Sequence, residues 1–112
     1  LGKTSEIKFI VELDENKVPG SIRWYATDSD LDEPQSCDGL MISFWDRENN
    51  DTLGIDLWTN ALLISEMYIH VFQTLMKMAD TLEKATKNRE AADMLRNFSL
   101  EFGEKLKILE QE

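Results

Sequence analysis

The sequence predicts an α+β fold, a four-stranded antiparallel sheet followed by two long helices packed on one of its faces. Three observations predict it. Apolar residues alternate with period two in short runs between residues 6 and 59, and from about residue 66 to residue 110 they recur at the three-to-four spacing of a helix. The third is length: 112 residues suit one domain spanning the whole chain, 1–112, and leave no room for a second catalytic one.

The first strand is predicted over Glu6 to Leu13, where Ile7, Phe9, Val11 and Leu13 alternate with Glu6, Lys8, Ile10 and Glu12. Only Ile10 breaks the polarity of the second face. Asp14-Glu15-Asn16-Lys17 is a turn-forming cluster, after which Ile22, Trp24 and Ala26 alternate with Ser21, Arg23 and Tyr25 as the second strand of an antiparallel hairpin. Pro19 has no N–H to donate, so its end of the hairpin is expected at an edge or a strand start. Residues 28–39 hold five acids, no base and several turn formers, which predicts a solvated loop.

The third strand is predicted over Leu40 to Asp46. Leu40, Ile42 and Phe44 define one face, while Met41 and Trp45 make the other apolar too, as in a central strand or one buried on both sides. Glu48-Asn49-Asn50-Asp51 turns the chain into a fourth strand, Thr52 to Thr59, with Leu53, Ile55 and Leu57 on one face and Thr52, Gly54, Asp56 and Trp58 on the other. Gly54 lets another group pack close to the backbone.

A helix follows from about Glu66 to Thr86, with Ser65 as its expected N-cap and Glu66 favouring the positive end of the helix dipole. At about 1.5 Å per residue it is long enough to cross a four-stranded sheet. Asn88 is expected to cap a second helix with the stripe Ala91, Met94, Leu95, Phe98, Phe102, Leu106 and Leu109. Gly103 weakens that helix by about 1 kcal/mol relative to Ala.

Charge and composition exclude several functions. Twelve Lys and Arg against 22 Asp and Glu give a net charge of -10, which repels phosphate backbones and anionic lipid surfaces, so nucleic acid is not an expected partner. The acidity is concentrated in residues 1–64, with 5 basic and 13 acidic groups, against 7 and 9 in the remainder. No apolar run indicates a signal peptide, lipidation site or membrane insertion, and the single cysteine fits a reducing compartment. A cytoplasmic location is expected. The first residue is not Met, which suggests trimming or a boundary at the N-terminus, with a targeting segment removed as one explanation.

The chemistry-bearing residues do not combine into a catalytic or metal site. Asp28-x-Asp30-x-Asp32 imitates the start of a calcium-binding loop, but that loop needs Gly at its sixth position and Glu at its twelfth, where this chain has Glu33 and Gly39. One histidine, His70, and one cysteine, Cys37, fall short of a zinc site. Cys37 lies among acids that disfavour its thiolate, and His70 sits on a helix beside Val71 and Phe72 with no positioned nucleophile. The five glycines are scattered and form no phosphate loop. No enzyme activity and no cofactor are expected.

Aromatic and methionine residues are the positive signal. Trp24, Trp45 and Trp58 fall on predicted strands, and Met67, Met76 and Met78 on the first helix. Core packing explains such stripes most often, but tryptophan is also the residue type most enriched among binding anchors. Because strand four alternates, Asp56 and Trp58 share the face opposite Leu53, Ile55 and Leu57, and Trp45 joins them from the neighbouring strand. Trp45, Asp56 and Trp58 are therefore the candidate protein-binding residues.

Val11-Glu12-Leu13-Asp14-Glu15-Asn16, Val18-Pro19, Ile55-Asp56-Leu57-Trp58-Thr59, Glu66-Met67, Gln73-Thr74-Leu75 and Met78-Ala79-Asp80-Thr81 together resemble the gliding motility protein GldC family. The resemblance runs over nearly the whole chain, is most specific at Ile-Asp-Leu-Trp-Thr and is weakest between Asp28 and Gly39. It implies an accessory protein of the gliding machinery without enzymatic activity, whose partner is another protein, a component of that machinery. The order of elements is also similar to that of the export chaperone SecB, an analogy of architecture that makes a holdase for unfolded or exported chains the alternative. Apolar residues on both faces of strand three and along both helices further predict a homo-oligomer.

Overall fold

The computed structural model describes residues 2–30 and 32–108. The α+β class is as expected, with every strand preceding both helices. The strands are β1 (Ile7–Leu13), β2 (Pro19–Ala26), β3 (Gln35–Cys37), β4 (Gly39–Asp46) and β5 (Asp51–Trp58), and the helices are α1 (Ile64–Thr86) and α2 (Arg89–Lys105). They fall into two compact units, Leu1–Leu62 and Leu63–Glu112.

The strands form two sheets in place of the single four-stranded sheet predicted from sequence: β1-β2-β3 is one and the β4-β5 ribbon the other. The cause lies in residues 28–39, which are not loop throughout. Gln35–Cys37 pair with β2, Cys37 opposite Ile22 and Gln35 opposite Trp24, and the chain then leaves that sheet at Asp38 and pairs with β5 from Gly39 onward. One extended run thus serves two sheets, with Asp38 at the corner, as strands that switch sheets through a bend do.

The corner is fastened by Thr59. Its backbone N–H donates to the Asp38 carbonyl at 2.9 Å, and its hydroxyl donates to Asp38 Oδ1 at 3.0 Å. Thr59 is 1% exposed, so both donors are satisfied inside the protein. Ile22 is equally buried because β2 is the central strand, with Val11 opposite on one side and Cys37 on the other. The β1–β2 turn is held by the Asp14 carboxylate, whose Oδ1 accepts from the N–H groups of Asn16 and Val18 at 2.8 and 3.0 Å. Lys17 in that turn takes a left-handed conformation, φ 63°.

In the helical unit α1 begins two residues earlier than the sequence indicates. Leu63, not Ser65, is its N-cap, and the Glu66 carboxylate closes the turn by accepting from the Leu63 N–H at 2.9 Å. Asn88 caps α2 as predicted, its side chain accepting from the Ala91 N–H at 3.0 Å. The helix ends at Lys105 with Leu106 as its C-cap, and the predicted stripe residue Leu109 lies outside the described residues.

Small side chains let α1 and α2 approach. Ala92, Ser99 and Gly103 share one face of α2 and are buried, as is Ala79 of α1. Gly103 thus gives up helix propensity at a buried position of this face. Arg96 pins the pair from the side: one terminal nitrogen meets Asp80 at 2.9 Å and Glu83 at 2.8 Å on α1, and the other meets Asp93 at 2.8 Å on α2. Three carboxylates on one guanidinium hold its pKa above the ordinary arginine value, hydrogen bonds to Asp80 and Asp93 foremost.

A candidate protein-binding face on the β4-β5 ribbon

Strict alternation in β4 and β5 gives the ribbon two faces. Cross-strand pairs Leu40–Leu57, Ile42–Ile55 and Phe44–Leu53 build one, apolar along three rows and ending in the acidic pair Asp46–Asp51 next to the hairpin turn. Gly39–Trp58, Met41–Asp56, Ser43–Gly54 and Trp45–Thr52 build the other. The three candidate residues therefore share a face, but they are not one cluster. Asp56 and Trp58 are neighbours at one end, while Trp45 stands three cross-strand rows from Trp58, about 20 Å away at the usual rise per strand residue.

Neither indole is core. Trp45 is 61% exposed and Trp58 54%, and Asp56 is exposed between them. The apolar face is open as well, with Phe44, Leu53 and Ile55 all exposed. A two-stranded ribbon has marginal stability in water when it stands alone, so both faces are surfaces suited to being covered.

Asp56, Leu57 and Trp58 also line an open cavity of about 270 Å³ whose far wall is Lys17, Val18 and Pro19 of the β1–β2 turn. That volume lies just below the range of small-molecule pockets, about 300–1,000 Å³, and suits a single inserted side chain. The wall is rigid because Asp14 fixes it, and the lining pairs apolar surface with one charge of each sign. Such a cavity can seat an amphipathic side chain of a partner.

The other chemistry-bearing groups lie elsewhere. Cys37 is half-buried beneath the corner; burial pushes its thiol pKa up, a backbone hydrogen bond from Gly39 opposes this, and the Asp38 charge adds to the rise. Acids around Cys37 were the expected cause, whereas burial is the larger one. His70 is half-buried on α1, with its Nε2 buried and without a hydrogen-bond partner. In the Asp28–Asp32 segment the Ser5 hydroxyl donates to the Asp28 carboxylate. Among the described residues no three His, Cys, Asp or Glu side chains gather as a metal site, and no helix is long and apolar enough to cross a membrane.

Residues 19–108 match the family described as gliding motility-associated protein GldC-like. The chain belongs to the GldC-like family. Comparison with curated proteins and with solved structures finds no match. The matched span takes in β2 through α2, and with them the complete ribbon and the Pro19 wall of its cavity, while β1 and Lys17 precede it. The family assignment expected from Ile55-Asp56-Leu57-Trp58-Thr59 is therefore established, and those five residues form the end of β5 and its lock on Asp38.

Two features of this GldC-like protein escaped the sequence reading. One is the Lys17–Pro19 wall, for which the pair Val18-Pro19 beside a turn was the available signal. The other is a groove of about 490 Å³ on the helical unit, lined by Thr74, Lys77, Met78, Thr81, Leu82, Ala85 and Leu95. Met78 and Leu82 lie four residues apart on α1, so the groove was present in the sequence as half of a helical stripe.

Proposed function

We propose that this GldC-like protein is a non-catalytic accessory of the bacterial gliding machinery and works by holding another protein against the face that carries Trp45, Asp56 and Trp58. The observation that carries this reading is the exposure of two tryptophans, 61% and 54%, on one face of a two-stranded ribbon. Exposed indoles beside a preformed cavity have the chemistry of binding anchors, and the family's association with gliding supplies the process. The opposite face carries the apolar stretch Leu40, Ile42, Phe44, Leu53, Ile55 and Leu57, bounded at the hairpin end by Asp46 and Asp51, and we assign that stretch to association between copies of the chain. Light scattering at micromolar concentration is then expected to give a dimer or larger species, and a 13.0 kDa particle argues against that assignment.

Affinity capture from a gliding bacterium, with the tagged chain and its Trp58→Ala variant, tests the main reading. Wild type is expected to retain one or two proteins, and Trp58→Ala, folded by circular dichroism, to lose about 2 kcal/mol of binding, roughly thirtyfold. Equal capture by both removes Trp58 from the binding surface. Suppression of aggregation of many unrelated unfolded proteins, without a preferred partner, supports a holdase in its place.

A further inference from the structure

The partner-facing side of the ribbon is not flat. Its middle row is Ser43–Gly54, the smallest pair on either face, and it lies between the Trp45–Thr52 row and the Met41–Asp56 row. Both Ser43 and Gly54 are exposed, and a Cβ on Gly54 would stand 3.3 Å from the Ile42 carbonyl oxygen, so the sequence leaves backbone bare where a side chain is already tight. The result is a saddle across the ribbon, with Trp45 as one flank and Met41, Asp56 and Trp58 as the other.

We propose that this saddle seats a cationic amphipathic helix of the partner protein. The inference rests on the reading of this face given above. The flanking rows are four residues apart along each strand, about 13 Å between their backbone positions, so the gap between their side chains admits the contacting ridge of a helix rather than its full width of about 10–12 Å. An added strand would instead pair along an edge and has no use for a bare row on the face.

Charge selects the partner's chemistry. Asp56 is the one charged side chain on this face. Lys17 lines the cavity next to it, yet residues 1–64 carry 13 acids against 5 bases, and the hairpin tip beyond Trp45 adds Asp46, Glu48 and Asp51 around Arg47. The surrounding potential is therefore negative and favours Lys or Arg on the incoming helix. A second copy of this chain fits poorly here, since it would bring another Asp56 into the same desolvated contact.

Fluorescence anisotropy with three labelled peptides of about 16 residues tests this, a length at which an amphipathic helix begins to be stable. One is a Lys/Leu amphipathic helix, the second its Glu/Leu counterpart, and the third the Lys/Leu peptide broken by two prolines. The helical Lys/Leu peptide is expected to bind at least about tenfold more tightly than either other peptide, and Ser43→Leu, which fills the saddle, to weaken it about tenfold. Asp56→Lys, an exposed change that does not depend on filling space, is expected to shift preference toward the Glu/Leu peptide. The proposal is overturned if the proline-broken peptide binds as tightly, or if neither Ser43→Leu nor Asp56→Lys changes the order. Capture of the native partner separates the two claims. If Ser43→Leu keeps it while Trp58→Ala loses it, the saddle fails and the binding face stands; if Trp58→Ala keeps it too, the face itself is wrong.

Discussion

The corner between the two sheets makes a sharp thermodynamic prediction, because its two partners are buried to different degrees. Thr59 is 1% exposed, whereas Asp38 is an exposed residue. Thr59→Val removes the 3.0 Å hydrogen bond and leaves the exposed Asp38 to be hydrated, so only the net worth of one bond to a charged acceptor is lost, about 1.5 kcal/mol. Asp38→Ala removes the same bond but strands a buried hydroxyl, which costs about 2 kcal/mol. The double variant loses the bond once and leaves no orphan, so it is expected to cost about 1.5 kcal/mol, well short of the sum. In every variant the Thr59 N–H still donates to the backbone carbonyl of residue 38, so the corner itself persists. Urea unfolding followed by circular dichroism, with unchanged m-values, gives the three differences. Additive costs, or a Thr59→Val variant less stable than Asp38→Ala, would refute the reasoning.

Three further predictions concern single positions. Ser99 Oγ is buried without a partner, so Ser99→Ala is expected to raise stability by about 1 kcal/mol, and a loss of stability in the same urea assay contradicts that account. Lys87 caps α1 at φ 62°, where Gly is free of the left-handed penalty; Lys87→Gly is expected to stabilise by about 0.5–1 kcal/mol, read as a higher melting temperature. Because burial raises the Cys37 pKa, its thiolate forms later than in the unfolded chain. Alkylation at pH 8 is therefore slower than for an unfolded control, and the contribution to stability is present below the ordinary thiol pKa and lost as pH rises through the folded one; faster alkylation in the native protein contradicts this.

Much of the ribbon was legible in the sequence because period-two alternation assigns faces without knowledge of partners. Leu53, Ile55 and Leu57 do oppose Asp56 and Trp58, and β4 contributes Trp45 to the second face. Pairing was less legible. Gln35-Ser36-Cys37 is a three-residue strand with no apolar alternation, set among acids, and nothing local says that residues on either side of Asp38 pair with different sheets. Only the long-range partners Ile22 and Trp58 decide that. Similarly, Ser65 looked the better cap, but the reach of Glu66 back to Leu63 closes the first turn two residues sooner. The cavity was invisible for the same reason as the corner: Lys17–Pro19 and Asp56–Trp58 meet through tertiary placement, and no spacing along the chain encodes it.

The central claim is that the Trp45–Asp56–Trp58 face meets another protein, and the three indole N–H signals report on it directly. In a two-dimensional NMR spectrum of the protein saturated with its captured partner, the account predicts that the Trp45 and Trp58 indole resonances shift, while that of Trp24, half-buried on β2 in the other sheet, stays in place. Unmoved Trp45 and Trp58 signals, with shifts confined to residues of α1 and α2, would contradict it.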